Sequence, residues 1–414
     1  MTHRHVRIVA AWAVVLCAFG ALWIATPVGG SSRPAAVALA VFFLALLVAA
    51  HIARRWAPLT YGDYQRALDL SREHRWLESV VRYDRLIAQL RWAHDDEAQR
   101  LLGLGLLNRG LSLRELGRPA DALVSFDELV GLCEGRTDTN GRELLGRALL
   151  NRAWAMAVLG GLDSATEVSE EVVARFADAQ EPSVRAIAAA ALLQEGARLE
   201  VAGRYEEALA SWDRLLERFR GETDWTVRKL VADAIFNLGH TLGRMGRHVQ
   251  AIREYDRVVS TFDAVPEAAE VVAWALVNKG VQLEKLGRPG DAVSVYEQVG
   301  ERFTGSIEAP LRAQVAKALF NKGNALMLLG RDEEAAAEFD RAVRDYGREP
   351  LATEAVIAAL ANKAVLLCRI GRTSEALAAC REVRRLVAGL PDDAARKHLD
   401  VVTGVEQECG EAQN

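Results

Sequence analysis

The chain has 414 residues, half of them hydrophobic and 26% charged, with a mean hydropathy of +0.02. Only 7% of residues are aromatic and only 10 are Pro, a composition that excludes a disordered chain and suits long helices. Residues 1–55 hold five Arg and no acid, leaving 46 basic against 56 acidic residues beyond Arg55; that balance excludes a nucleic-acid binder, which needs a basic stripe.

The first sixty residues predict a membrane segment. From Ile8 to Val28 there are 21 uncharged residues, and from Ala35 to Ala53 another 19. A bilayer core of about 30 Å takes roughly 20 apolar residues as a helix. The two runs therefore predict a transmembrane hairpin over residues 1–58, turning at residues 29–34. Arg4, Arg7, Arg54 and Arg55 flank its ends, against Arg33 alone in the turn. The positive-inside rule then puts both termini, and everything after the hairpin, on the cytoplasmic side of the cell membrane. A cleaved signal peptide is the rival reading, but no small-x-small site closes the first run, and Leu16 before Cys17 argues against a lipoprotein site. The five Cys (17, 133, 368, 380, 409) are odd in number, far apart and without C-x-x-C, which excludes a disulfide scaffold and a zinc ribbon and is compatible with a reducing compartment.

Residues 59–390 repeat. Asn108, Asn151, Gln194, Asn237, Asn278, Asn321 and Asn362 form an anchor series at intervals of 43, 43, 43, 41, 43 and 41. Nine residues after each anchor stands a Gly, from Gly117 to Gly371, and fourteen after each an Ala, from Ala122 to Ala376. Eighteen after is a ring in Phe126, Trp212, Tyr255, Tyr296 and Phe339, with Ser169 and Cys380 as exceptions. A degenerate earlier copy starts at Gln65, with Arg75, Ser79 and Tyr83 in register, which makes eight repeats. Each unit reads as two helices. Pro182, Pro266, Pro310 and Pro350 open first helices of about 20 residues, and the Gly closes them. The second helix starts at the Arg after that Gly and runs about 16 residues, for example from Arg204 to Phe219. No stretch alternates with period two for long enough to be a strand.

The Ala-x-x-x-ring spacing after a Leu-Gly-Arg turn, best seen in Leu329-Gly330-Arg331, Ala335 and Phe339, resembles the tetratricopeptide repeat. The usual unit is about 34 residues; here the first helix is longer. Lys279, Lys322 and Lys363 stand where the family usually has Leu after the Asn. HEAT and armadillo repeats have the closer period but lack this signature. The resemblance implies an all-α solenoid, a right-handed superhelix of helical pairs; the uncharged runs put two transmembrane helices before it, and the polar residues after Pro391 read as a capping helix and tail over residues 391–414. The resemblance also implies a long concave surface for a protein or peptide partner.

Nothing in the sequence points to catalysis, a cofactor or a metal. H-E-x-x-H, the P-loop and G-x-S-x-G are absent. Gly103-Leu104-Gly105 lies in a helical stretch with no strand before it. His240 and His248 are separated by the Gly246 turn, and Cys380, in the ring slot, reads as core. The recurring Arg after the Gly reads as a former of surface or inter-repeat ion pairs. The anchor Asn has two readings: a bond to the backbone of the neighbouring repeat that sets stacking, or a groove residue that bonds a peptide. Positions −4, 0, +3 and +7 from the anchor share one helical face. In the first three full repeats that face is bland, as in Leu104, Asn108, Leu111 and Glu115. In the fourth to sixth it reads Asp233, Asn237, His240, Arg244; Trp274, Asn278, Val281, Lys285; Lys317, Asn321, Asn324, Leu328. That mixture suits an extended peptide with a carboxylate. The function expected is a membrane-anchored scaffold for protein–protein interaction. The alternative is a regulatory or assembly subunit of a membrane enzyme complex docked through its hairpin, where Ala10, Ala11, Ala18, Gly20 and Ala21 would allow close helix packing.

Overall fold

Seven glycines set where the helices stop. Gly117, Gly160, Gly203, Gly246, Gly287, Gly330 and Gly371 take φ between 67° and 91°, a region that favours Gly because it has no Cβ. One residue on, the chain turns back on the helix it leaves: the Arg118 N–H donates to Leu113 O and the Arg331 N–H to Leu326 O, both at 2.9 Å. In the degenerate first copy His74 makes the same turn, at φ 59°.

The computed structural model describes residues 61–93, 95–388 and 392–411. The expected hairpin over residues 1–58 lies outside the described residues. The chain divides into two compact units, residues 1–160 and 161–414. The described part of the first contains α1 (Tyr61–Arg72), α2 (Trp76–Leu90), α3 (Asp96–Glu115), α4 (Pro119–Cys133) and α5 (Thr139–Val158). The second begins with α6 (Leu162–Phe176), α7 (Pro182–Val201), α8 (Tyr205–Arg218), α9 (Trp225–Arg244) and α10 (His248–Phe262). It continues with α11 (Ala269–Lys285), α12 (Pro289–Phe303), α13 (Ala309–Leu328), α14 (Asp332–Tyr346), α15 (Thr353–Arg369), α16 (Thr373–Val387) and α17 (Asp392–Glu411). Among the described residues there is no strand. The all-α, repeat-built architecture is the one the periodicity predicts.

Helix starts follow local chemistry. Asp95, Asp138 and Asp224 cap α3, α5 and α9 by accepting from the backbone N–H of Ala98, Gly141 and Thr226, each at 2.9 Å. Pro182 and Pro310 stand in the first turns of α7 and α13. Pro266 and Pro350 instead open single 3-10 turns, Pro266–Ala268 and Pro350–Ala352, from which α11 and α15 continue. Second helices begin one residue later than expected, because Arg204, Arg247, Arg288, Arg331 and Arg372 are N-caps with non-helical ψ near 60°.

Within each unit a helix packs on its chain neighbours, and first helices also pack on first helices: α3 on α5, α7 on α9, α9 on α11, α11 on α13, and α13 on α15. The core lies between the two layers. All seven Ala at anchor +14 are fully buried, as are Phe126, Trp212, Tyr255 and Phe339 in the ring slot. Each ring in that slot, Tyr296 included, lies against the Gly two residues after its anchor. Gly103 and Gly105 sit inside α3 against leucine side chains, with no phosphate-binding loop around them. Residues 350–369 are long and apolar enough to cross a membrane, and half of that window is buried within the stack.

The cysteines depart from expectation. Cys368 on α15 and Cys409 on α17 are disulfide-bonded, with Cα atoms 6.1 Å apart. Their 41-residue separation is one repeat period, so spacing that looks remote in sequence is adjacent in the stack. Cys133 and Cys380 are free and buried, and burial pushes both thiols up to about 11.

Candidate functional site

The position after the anchor links each repeat to the one before. Arg109 pairs with Asp84 at 2.6 Å, Arg152 with Asp127 at 2.9 Å, Lys279 with Asp256 at 2.5 Å and Lys322 with Glu297 at 3.0 Å. Lys363 pairs with Asp340 in the same way. Each acid belongs to the preceding second helix. The Lys residues that depart from the family pattern are therefore the cationic half of a stacking link. Lys322 is the most enclosed, 14% exposed and also bonded to Glu338 at 2.8 Å. Two repeats break the rule. Leu238 offers Asp213 no partner, and burial raises that carboxyl. Glu195 is itself an acid, 3% exposed, accepting a hydrogen bond from Ser211, with Arg214 at 3.7 Å bridging it to Glu170.

The Arg that follows six of the seven turn glycines also forms ion pairs; Gly160 is followed by Gly161. Arg118, Arg204, Arg288, Arg331 and Arg372 each hold an acid three residues on in their own helix, at 2.6–2.8 Å. Arg204 also reaches Asp163, and Arg247 reaches Glu206, in the preceding repeat.

Among the described residues no anchor Asn bonds the backbone of a neighbouring repeat. Asn108, Asn151 and Asn278 donate to the carbonyl four residues earlier in their own helix, at 2.8–2.9 Å. The link to the preceding repeat runs through side chains: Asn108 to the Tyr64 hydroxyl at 2.9 Å, Arg114 to Asn151 at 3.3 Å, and Asn362 to Asn324 at 2.7 Å. A polar side chain mid-helix naturally finds the carbonyl one turn back.

The ten residues of the expected groove lie on α9, α11 and α13, whose first-helix faces adjoin. They do not form one free polar surface. Asp233 is held by Lys229 at 3.2 Å. His240 and Arg244 both meet Glu200 at 3.1 Å, and Arg244 also donates to the Tyr205 hydroxyl and lies over its ring, 5.2 Å from the centroid. Glu200 and Tyr205, one repeat earlier, escape the four-position pattern, as does Phe236. That ring stacks on His240 at 6.5 Å and meets Trp274 edge-on at 5.6 Å. Asn324 is occupied by Asn362. What stays open is a smaller set. Trp274 is 40% exposed. Lys285 and Lys317 are exposed and make no ion pair among the described residues. Asn237 is half-buried, and Asn321 is 9% exposed with no hydrogen-bond partner on its Nδ2. Among the described residues no three His, Cys, Asp or Glu side chains gather as metal ligands.

Residues 193–269 and 277–350 match the family model of the tetratricopeptide repeat. Over those two segments the chain carries tetratricopeptide repeats. Among solved structures, the apo form of RapI is similar over 75% of this chain and 84% of its own, at TM-score 0.55 and 13% identity, a likeness of fold. The C-terminal part of a TPR repeat-containing protein from Cytophaga hutchinsonii gives TM-score 0.45 and 15% identity over 70% of this chain and 97% of that one. A Rap protein complexed with Competence and Sporulation Factor gives 0.44 and 13% over 75% and 86%. No curated protein sequence matches. The matched segments include α9, α13 and α11 from residue 277 on, and therefore Asn237, Lys285, Lys317 and Asn321, while Trp274 lies between the two matches.

Proposed function

We propose that the chain is a scaffold that binds a protein or peptide partner on the first-helix face of α9, α11 and α13. The observation that carries this reading is the open set itself: on adjoining first helices, an exposed Trp274, two exposed cations without an ion pair among the described residues, and a buried amide donor without an acceptor. An extended segment ending in a carboxylate satisfies all three. Its apolar side chain covers Trp274, its carboxylate takes Lys285 or Lys317, and a carbonyl accepts from Asn321. The sequence of residues 1–58 supports a membrane hairpin that holds the repeats on the cytoplasmic side.

The test is affinity purification with the full-length chain, with residues 60–414, and with Lys317→Ala/Asn321→Ala in the full-length chain. The double variant loses the partner while its helical circular dichroism is unchanged. Binding that survives this change, but is lost when Asn108 and Asn151 are altered, places the groove elsewhere. Retention of the partner by residues 60–414 favours the scaffold over a subunit docked through its spans. Reporter fusions after residues 32 and 62 report opposite sides of the membrane; export of the second overturns the orientation.

A further inference from the structure

Arg142, Arg185, Arg228 and Arg312 occupy one position of the repeat, nine residues before the anchor. Arg185 donates from Nε and Nη2 to the Glu222 carboxylate at 3.0 and 3.3 Å, and Arg312 donates from Nε to Glu349 at 2.6 Å. Both acids lie 37 residues ahead of their Arg, in the segment before the next first helix. Arg185 is the main cause that holds Glu222 below the usual carboxylate range. The residue 37 ahead of Arg228 is Val265. Its setting repeats that of Glu349, since each directly precedes the Pro of a 3-10 turn. Among the described residues no carboxylate pairs with Arg228. Its guanidinium lies over the Phe262 ring, 5.6 Å from the centroid, much as Arg312 lies over Tyr346 at 5.2 Å. Arg185 and Arg312 thus hold a carboxylate 37 residues ahead, a position that is Val265 after Arg228 and Ala179 after Arg142.

Arg228 also borders a cleft of about 400 Å³ walled by Leu216, Phe219, Ile235 and Phe262. Arg220 and Arg257 line the same cleft. Its one acid, Glu222, is taken up by Arg185 and by the backbone N–H groups of Thr223 and Asp224. Arg220 has no ion pair among the described residues, and Arg257 reaches Glu254 only at 3.5 Å. Apolar walls and two guanidinium groups without an ion pair among the described residues, Arg220 and Arg228, therefore meet in one open cleft. Its volume is that of a small-molecule site.

We propose that this cleft binds a small organic carboxylate with an apolar body. The carboxylate accepts the Arg228 fork, as Glu222 accepts the Nε–Nη2 fork of Arg185 and Glu349 the single Nε–H of Arg312, and the body lies against Phe219 and Phe262. A planar guanidinium fork matches a carboxylate in bidentate geometry. The proposal does not depend on a partner at the face formed by Trp274, Lys285, Lys317 and Asn321.

The test is isothermal titration calorimetry of the purified full-length chain with 3-phenylpropionate, 3-phenylpropanamide and inorganic phosphate. Saturable binding is expected for 3-phenylpropionate alone, because the amide lacks the charge and phosphate lacks the body. Arg228→Gln weakens it by about tenfold or more, as expected for loss of a hydrogen-bonded charge. Val265→Glu supplies the acid from within the chain and abolishes binding while leaving the melting temperature at or above that of the unsubstituted chain. Arg312→Gln, whose acid lies elsewhere, leaves binding unchanged. Failure of 3-phenylpropionate to bind, equal binding of inorganic phosphate, or unaltered binding in Val265→Glu overturns the proposal.

Discussion

Gly239 faces the ring of Tyr255, and a Cβ on that glycine would stand 2.7 Å from the ring's Cε1. The relationship recurs. Gly110, Gly196, Gly280 and Gly323 face Phe126, Trp212, Tyr296 and Phe339, each leaving less than 3.0 Å for a Cβ. In the two repeats whose ring slot holds Ser169 or Cys380, the facing residue is Ala153 or Ala364. The volume removed from one helix is returned on the other, as close packing requires. The first copy departs from this, with Ala67 and Tyr83 both buried.

Gly239→Ala should destabilise the chain by about 1 to 3 kcal/mol, the usual cost of overpacking a core. In a Tyr255→Ser background the same change should cost close to nothing, because Ala with Ser is the pair that positions 153 and 169 already use. Denaturant unfolding of the four proteins in the cycle measures the coupling. An equal cost in both backgrounds would show that the ring is not what excludes the methyl group.

Tyr255→Phe should stabilise by about 1 kcal/mol, since it removes a buried hydroxyl that lacks a hydrogen-bond partner. Burial pushes that phenol's ionisation upward, consistent with a dry environment. Phe already fills the slot at positions 126 and 339. A lower unfolding midpoint for the variant would mean that the hydroxyl is bonded in solution.

Gly330→Val should cost about 1 to 2 kcal/mol through backbone conformation alone, because φ is 71° and no heavy atom lies within 4 Å of a Cβ built there. Gly330→Asn should cost less, since Asn tolerates the left-handed region. Thermal melts of the two variants rank the effect. Equal melting for Val and Gly would show that the turn relaxes away from positive φ.

Glu195→Gln should flatten the pH dependence of stability. Burial raises this carboxyl above its ordinary value near 4.5, against the opposing effects of Ser211 and Arg214. The folded state therefore binds the proton more tightly than the unfolded chain does. This group's contribution is fully present below the unfolded value and is lost as pH rises through the raised folded one. Unfolding midpoints measured between about pH 4.5 and pH 7.5 should decline less in the variant. Identical slopes would place the carboxylate in contact with water.

The period, the turn glycines and the buried Ala fourteen residues after each anchor were legible because each rests on one residue type at one spacing. The Arg that opens each second helix was placed one residue inside because propensity does not distinguish an N-cap from a first turn. The stacking links were not legible as pairs: Lys279 and Asp256 stand 23 residues apart, a separation that means nothing until two helices are folded back. Glu200 illustrates the same limit at the candidate site. It lies one position off the expected stripe of its own helix, yet it neutralises Arg244 from 44 residues away. Phe236 was missed because an apolar residue beside an anchor reads as core, and its contact with Trp274 needs the neighbouring repeat.

A stack whose members touch only their neighbours comes apart from its ends, where a member has one neighbour instead of two. The bond between Cys368 and Cys409 changes that at the carboxyl end, because α17 cannot peel from α15 without carrying the closed loop of chain between them. On the chain-entropy account, closing a loop of that length removes about 4 kcal/mol of freedom from the unfolded chain. Hydrogen exchange in the oxidised chain should then be slower along α15 and α17 than in the chain reduced by a thiol.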